Sequence, residues 1–217
     1  MMKDTGLKQF ARVGMWPGGG EETVSGAGST VKYTDALRPK LEAIVRDLGV
    51  RRVLDAPCGD FNWMRHVDLG GASYVGLDIV DEVIARNIER HAAPGCSFVI
   101  ADVTVDPLPP SDLLVCRDLL LHLPFENILD LFKNVADAEL KWVLISSYVN
   151  PANRDLGTPG EGRLVNLTLP PFNFPAPDED RRIVDWVKGY PERYLYLYDH
   201  EIFRSHAYAA IEKAANA

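Results

Sequence analysis

The stretch Arg52-Val53-Leu54-Asp55-Ala56-Pro57-Cys58-Gly59-Asp60 decides how this chain folds. Val53 and Leu54 form a short apolar run closed by an acid and a turn, the pattern of a buried parallel strand ending at Asp55. The pattern returns on either side of helical segments. Ala72–Leu77 reads as a strand ending at Asp78, Ser97–Ile100 as one ending at Ala101-Asp102, and Leu113–Cys116 as one running into Arg117-Asp118. Asp55 and Asp78 are 23 residues apart, and Asp78 and Asp102 are 24 apart, so each acid closes one β-α-β step. Lys141–Tyr148 completes a fifth strand. Helices are expected at 35–48, with Leu37, Leu41, Ile44, Val45 and Leu48 on one face, at 61–67, at 81–91, and from Asp118 to about 140 with a break near Pro124. Near-continuous apolar strands separated by helices predict an α/β, doubly wound sheet with helices on both faces.

Beyond Asn150 the alternation stops. Residues 151–182 carry six prolines and read as an ordered excursion or lid, inserted as a cap for the acceptor. Ile183–Val187 and Tyr194–Tyr198 follow as two further strands around a Gly189-Tyr190-Pro191 turn, giving seven strands with an antiparallel edge. The tyrosines alternate with leucines and are expected on one face of an outer strand. Residues 1–34, rich in turn formers, read as an arm ahead of a single domain at 35–217.

The 217 residues carry 23 Lys+Arg against 31 Asp+Glu, a net charge of −8 that disfavours nucleic-acid partners. No apolar run approaches the roughly 20 residues of a membrane span, and no secretory leader is visible at Met1–Thr5. Cys58, Cys96 and Cys116 are odd in number and lack metal-like spacing, so neither a disulfide framework nor a metal site is expected. A cytoplasmic protein follows.

Open parallel sheets bind ligands beyond the carboxyl ends of their strands. Asp78, at the end of the second strand, suits a ribose diol, because a carboxylate accepts from two vicinal hydroxyls. A dinucleotide site would also need a G-x-G-x-x-G turn after the first strand. Here that turn has one glycine and two acids, Asp55 and Asp60, which repel a pyrophosphate and suit a ligand with a positive end, such as S-adenosylmethionine.

Val53–Asp60, Val75-Gly76-Leu77-Asp78-Ile79, Ala101-Asp102-Val103 and Asp112–Leu123 together resemble the class I S-adenosylmethionine-dependent methyltransferases, whose sheet is Rossmann-like. Cys58-Gly59-Asp60-Phe61-Asn62-Trp63, Cys116-Arg117-Asp118 and Pro170–Pro175 resemble a small subgroup of them without a known substrate. The resemblance implies that the first turn (Asp55, Cys58, Gly59) cradles the methionine part and that Asp78 holds the ribose. It also implies that Asp102 meets the adenine amino group beside Val103, that Ile79 packs on the adenine face, and that the backbone at Cys116 and Arg117 lies near the methionine end. The glycine-rich turn usual in that family is replaced by Pro57-Cys58-Gly59.

Methyl transfer to a hydroxyl needs a held acceptor, excluded water and a proton acceptor. Asp118 and His122, four residues apart and sharing a face if helical, are the candidate bases; His122 between two leucines equally fits a packed core histidine. Arg117 is placed to bind an anionic acceptor or to pair with Asp118 or Asp60. Arg154, Arg163 and Asn166 in the excursion could grip the acceptor, and Tyr33 could close over the cofactor. Phe172 and Phe174 read as anchors for the excursion. The expected activity is methylation of a small polar, anionic-capable metabolite, at oxygen in preference to nitrogen. The alternatives are a non-catalytic cofactor-binding partner protein and an NAD(P)-dependent oxidoreductase.

Overall fold

The computed structural model describes residues 7–8, 18–157 and 160–216. Of the expected arm, residues 1–6 and 9–17 lie outside the described residues. In chain order the elements are α1 (Arg38–Asp47), β1 (Arg52–Asp55), β2 (Ser73–Asp78), α2 (Asp81–His91), β3 (Cys96–Ile100), β4 (Leu113–Cys116), α3 (Phe125–Asp137), β5 (Trp142–Tyr148), β6 (Arg182–Val184), β7 (Arg193–Asp199) and α4 (His200–Ala215). The seven strands lie in the order β3-β2-β1-β4-β5-β7-β6. The first five are parallel, while β7 runs antiparallel to both β5 and β6. No described helix is long and apolar enough to cross a membrane.

The inner strands β1, β4 and β5 are apolar on both faces because both faces are covered. Leu54 of β1 and Leu114 of β4 turn towards a core with Ile128, Phe132 and Phe203. Their neighbours Val53, Leu113 and Val115 turn the other way, against Leu41, Val45, Met64 and Ile84. Each such side chain contributes roughly 1.5–3 kcal/mol by burial. Pro39 stands in the first turn of α1, where its missing N–H costs nothing.

Several expectations change. The helix expected at 61–67 is one 3₁₀ turn at Met64–His66, because Phe61 takes a left-handed φ of 58°. The helix expected from Asp118 begins instead at Phe125, after Pro124; ahead of it stands a 3₁₀ turn, Leu120–His122. The tyrosine-bearing β7 is not outermost: it lies between β5 and the short edge strand β6, and Tyr196 and Tyr198 are buried. The closing helix α4 escapes a sequence reading because its buried stripe is mostly small, comprising Phe203, Ala207 and Ala210 after His200.

The excursion after β5 is pinned as expected by Phe172 and Phe174. Their rings meet Phe132 edge-on at centroid distances of 5.5 and 5.1 Å. The segment is thus part of the core on the α3 face.

Candidate active site

A cavity of about 620 Å³ opens beyond the carboxyl ends of β1 to β4. Asp55, Cys58, Gly59, Asp78, Ile79, Asp102, Val103, Arg117, Asp118 and His122 all line it, so ten of the sequence-predicted positions meet in one place.

Asp55 is fully buried and accepts a hydrogen bond from the Tyr74 hydroxyl at 2.7 Å. Burial pushes its carboxyl up to about 7, against the pull of that hydroxyl and of the Arg117 charge. Asp78 accepts from the backbone N–H of Gly59 at 3.0 Å and of Val80 at 3.0 Å, which fixes the carboxylate plane at the end of β2. Its pKa is raised by burial, with those backbone donors pulling the other way. Asp102 accepts from the backbone N–H and the hydroxyl of Thr104 at 3.0 and 2.6 Å.

The first turn is tied down by a residue the sequence reading missed. Asn87 of α2 donates to the Gly59 carbonyl at 2.8 Å. An amide at a buried position between Ile84 and Ile88 was its only signal. Gly59 itself has φ 53°, and a Cβ there would stand 2.4 Å from Ser25 Oγ. Glycine is required for both reasons.

Ser25 belongs to the arm, whose residues Val24–Ser29 form a wall of the cavity. Asp60 holds that wall in place. It accepts from Thr23 Oγ1 at 2.9 Å, the Val24 N–H at 2.8 Å and Ser25 Oγ at 3.1 Å. The second acid of the first turn therefore faces the arm and does not line the cavity.

Two expected cofactor contacts do not line it either. Tyr33 is buried against the Arg117 and Arg193 guanidiniums, 5.7 and 5.5 Å from its ring centre, and against Tyr190. Cys116 is sealed in the core, where burial pushes its thiol well up.

Arg117 forms a fork on Asp185: Nε donates to Oδ2 at 2.9 Å and Nη2 to Oδ1 at 3.0 Å. Nη2 also donates to the Gly28 carbonyl of the arm at 2.8 Å, and the guanidinium lies over Trp63. Arg193 of β7 donates to the Asp185 carbonyl at 3.0 Å and to the Tyr148 hydroxyl at 2.9 Å, and pairs with Asp118. Tyr148 in turn donates to Asp118 Oδ1 at 2.8 Å. Burial would raise the Asp118 carboxyl, but Arg193, Arg117 and Tyr148 outweigh it and hold the pKa below the usual range. A carboxylate so held is a weak proton acceptor and serves to position Tyr148 and Arg193. Asp118 also has φ 57°, and its N–H is taken by Ser146 Oγ at 3.0 Å. It therefore shares no helical face with His122. Asp185 in an apolar strand pattern and Arg193 heading the next strand were the overlooked signals for this network.

His122 lines the cavity from its 3₁₀ turn. Burial lowers its pKa, against the raising influence of the Asp118 charge, which favours the neutral imidazole. The excursion pairs with this turn through Gly160 N–H to the His122 carbonyl at 2.9 Å and Arg163 N–H to the Leu121 carbonyl at 3.0 Å.

The three acceptor-gripping residues expected in the excursion lie elsewhere. Arg163 donates to the carbonyls of Arg154 at 2.9 Å, Leu123 at 2.6 Å and Leu120, clamping the segment onto that turn. Arg154 is exposed. Asn166 accepts from the Thr168 N–H and hydroxyl at 2.9 and 2.8 Å, shaping a local turn. None of the three lines the cavity.

No protein-family model matches the chain, and no curated protein does. Solved structures do match. The mitomycin 7-O-methyltransferase MmcR aligns with a TM-score of 0.55 and 13% identity over 78% of this chain and 54% of its own. The S-adenosylmethionine-dependent methyltransferase SibL, in its apo form, aligns with a TM-score of 0.55 and 18% identity over 77% of this chain and 55% of its own. Magnesium protoporphyrin IX methyltransferase from Synechocystis, solved with bound SAH (S-adenosylhomocysteine), aligns with a TM-score of 0.54 and 14% identity over 89% and 94%. The chain thus spans about half the length of MmcR and SibL. At these identities the likeness is one of fold, and the fold is the Rossmann-like fold of the class I methyltransferases.

Proposed function

We propose that this chain is an S-adenosylmethionine-dependent methyltransferase acting on a small-molecule acceptor in the cytoplasm, with no nucleic-acid or membrane partner. The observation that carries the reading is Asp78, whose carboxylate is held in plane by two backbone N–H groups at the end of β2 and still lines the cavity. Each of its oxygens keeps a lone pair for a ribose hydroxyl.

The rest of the cavity fits the same cofactor. Ile79 and Val103 supply apolar walls for a purine beside Asp102, and Asp55 supplies at the first turn a buried carboxyl whose ionised form a cationic ligand favours. A dinucleotide fits poorly, because Asp55 stands where a pyrophosphate needs donors. When bound, S-adenosylmethionine supplies a methyl group on a sulfonium, open to attack by an oxygen or nitrogen lone pair. The chain supplies the rest. Val24–Ser29 exclude water from one side, the excursion at Gly160 closes another, and neutral His122 takes the proton of an acceptor hydroxyl. A neutral imidazole is a suitable base near neutral pH, which favours O-methylation.

Calorimetry with S-adenosylmethionine and SAH tests the proposal, using Asp78→Ala as the control. Binding by the native chain and at least tenfold weaker binding by the variant are expected. No binding by the native chain sinks the proposal, and equal binding by the variant sinks the ribose assignment. Binding without methyl uptake by any acceptor would leave the non-catalytic alternative.

A further inference from the structure

We infer that the acceptor carries no anionic group: it is an uncharged or amine-bearing molecule with an apolar body and one hydroxyl or amine presented to His122. The inference rests on the methyltransferase reading above and names the class of its second substrate.

Charge in the cavity carries the first half. Among the described residues that line it, basic groups come only from Arg86, Arg117 and His122. Arg117 is committed to Asp185 through Nε and Nη2 and to the Gly28 carbonyl, its Nη1 faces Asp118 Oδ2 at 3.9 Å, and its side chain is 3% exposed. Turning it towards a ligand would leave Asp185 facing Arg193 alone in a buried site and would release the arm. Burial disfavours the charged form of His122. Arg86 lies on the exposed side of α2, which joins β2 to β3, away from the turn that bears His122. Of the acids in the same lining, Glu82 stands on α2 with Arg86 and Asp118 is already paired with Arg193, which leaves Asp78, Asp102 and the buried Asp55. An acceptor phosphate or carboxylate would enter a cavity with no available fork, at a desolvation cost nothing there repays.

The chemistry around His122 carries the second half. Leu119, Leu121, Leu123 and Gly160 line the cavity beside it, and Arg163, which could have brought charge there, is spent on the carbonyls of Leu120 and Leu123. Such walls reward apolar area and leave the imidazole as the polar group that orients an acceptor.

Calorimetry on the full-length chain preloaded with SAH tests this, using benzyl alcohol, benzylamine, benzoate and inorganic phosphate as probes. Benzyl alcohol or benzylamine is expected to bind, and benzoate and phosphate at least tenfold more weakly, a difference of about 1.4 kcal/mol or more. Saturable benzoate or phosphate binding as tight as that of the neutral probe overturns the charge assignment. Failure of all four overturns the apolar-wall assignment. SAH binding is measured first: its absence defeats the methyltransferase reading, while the same four titrations on the unloaded chain still read the charge preference.

Discussion

Arg117 at the end of β4 and Asp185 just past β6 form a buried fork, with side chains 3% and 1% exposed. It joins positions 68 residues apart and carries the arm along through Gly28. Removing one partner of such a pair leaves an uncompensated buried charge, at a cost of about 3–5 kcal/mol. Asp185→Ala is therefore expected to lower unfolding stability by about that amount, read from urea midpoints at constant slope. A loss below about 1 kcal/mol would show that the fork is not the organising contact.

How much of this was legible depends on what each residue answers to. Asp55, Asp78 and Asp102 could be read because they terminate strands, and strand ends follow from local apolar runs. Arg117 could be read only as a position. Its partner Asp185 lies far along the chain, just past a strand three places away in the sheet, and no local pattern announces that pairing. Arg163 and Asn166 read as ligand-gripping residues because a charge or amide in a loop looks available. In the structure each satisfies backbone groups of an irregular segment, which a buried loop must do. Tyr33 reads as a cover for the cofactor but lies against the Arg117 guanidinium, since a tyrosine face suits a buried guanidinium as well as a ligand.

Asp60 should govern the arm and not the chemistry. Its carboxylate collects three donors from Thr23, Val24 and Ser25, and hydrogen bonds to a charged group are worth about 1.5–3 kcal/mol each. Asp60→Ala is expected to expose the 22–30 backbone to limited proteolysis and to speed SAH dissociation, with the core unfolding transition little changed. Unaltered cleavage and dissociation would mean the wall is held by other contacts, such as the Asn62 amide on the Ser29 carbonyl at 3.0 Å and Arg117 on the Gly28 carbonyl.

Asp55 makes stability fall as pH rises. Its folded pKa of about 7 exceeds the 3.8 of an exposed carboxyl because of burial. Between those values the folded chain retains a proton that the unfolded chain has lost, so the slope of stability against pH is negative. The penalty is absent below the unfolded pKa, grows up to about 7 and stays constant above it. Asp55→Asn, which keeps an acceptor for Tyr74, removes this dependence. Relative to the native chain, the variant should gain at least about 1.4 kcal/mol of stability between about pH 5 and about pH 8, one pKa unit's worth. A constant difference across that range would place the carboxyl at an ordinary pKa.

His122 should act on turnover and leave cofactor affinity alone. Burial lowers its pKa from 6.5, against the raising influence of Asp118, so the fraction of neutral imidazole rises with pH along a limb displaced to the acid side. For an acceptor hydroxyl, the rate should climb on that acid limb and level off above it. His122→Gln preserves a polar group of similar size but cannot take a proton. It is expected to lower kcat by about 10²–10⁴ and to erase the acid limb, while SAH binding stays within a factor of about three, or about 0.65 kcal/mol. Phe125→Ala on the neighbouring α3 controls for loosening of the turn, because it disturbs the packing under Arg163 without touching the imidazole. If His122→Gln and Phe125→Ala lowered turnover equally and both kept the acid limb, the imidazole would be a packing residue and the proton acceptor would lie elsewhere. Loss of the limb in His122→Gln alone assigns the proton to His122.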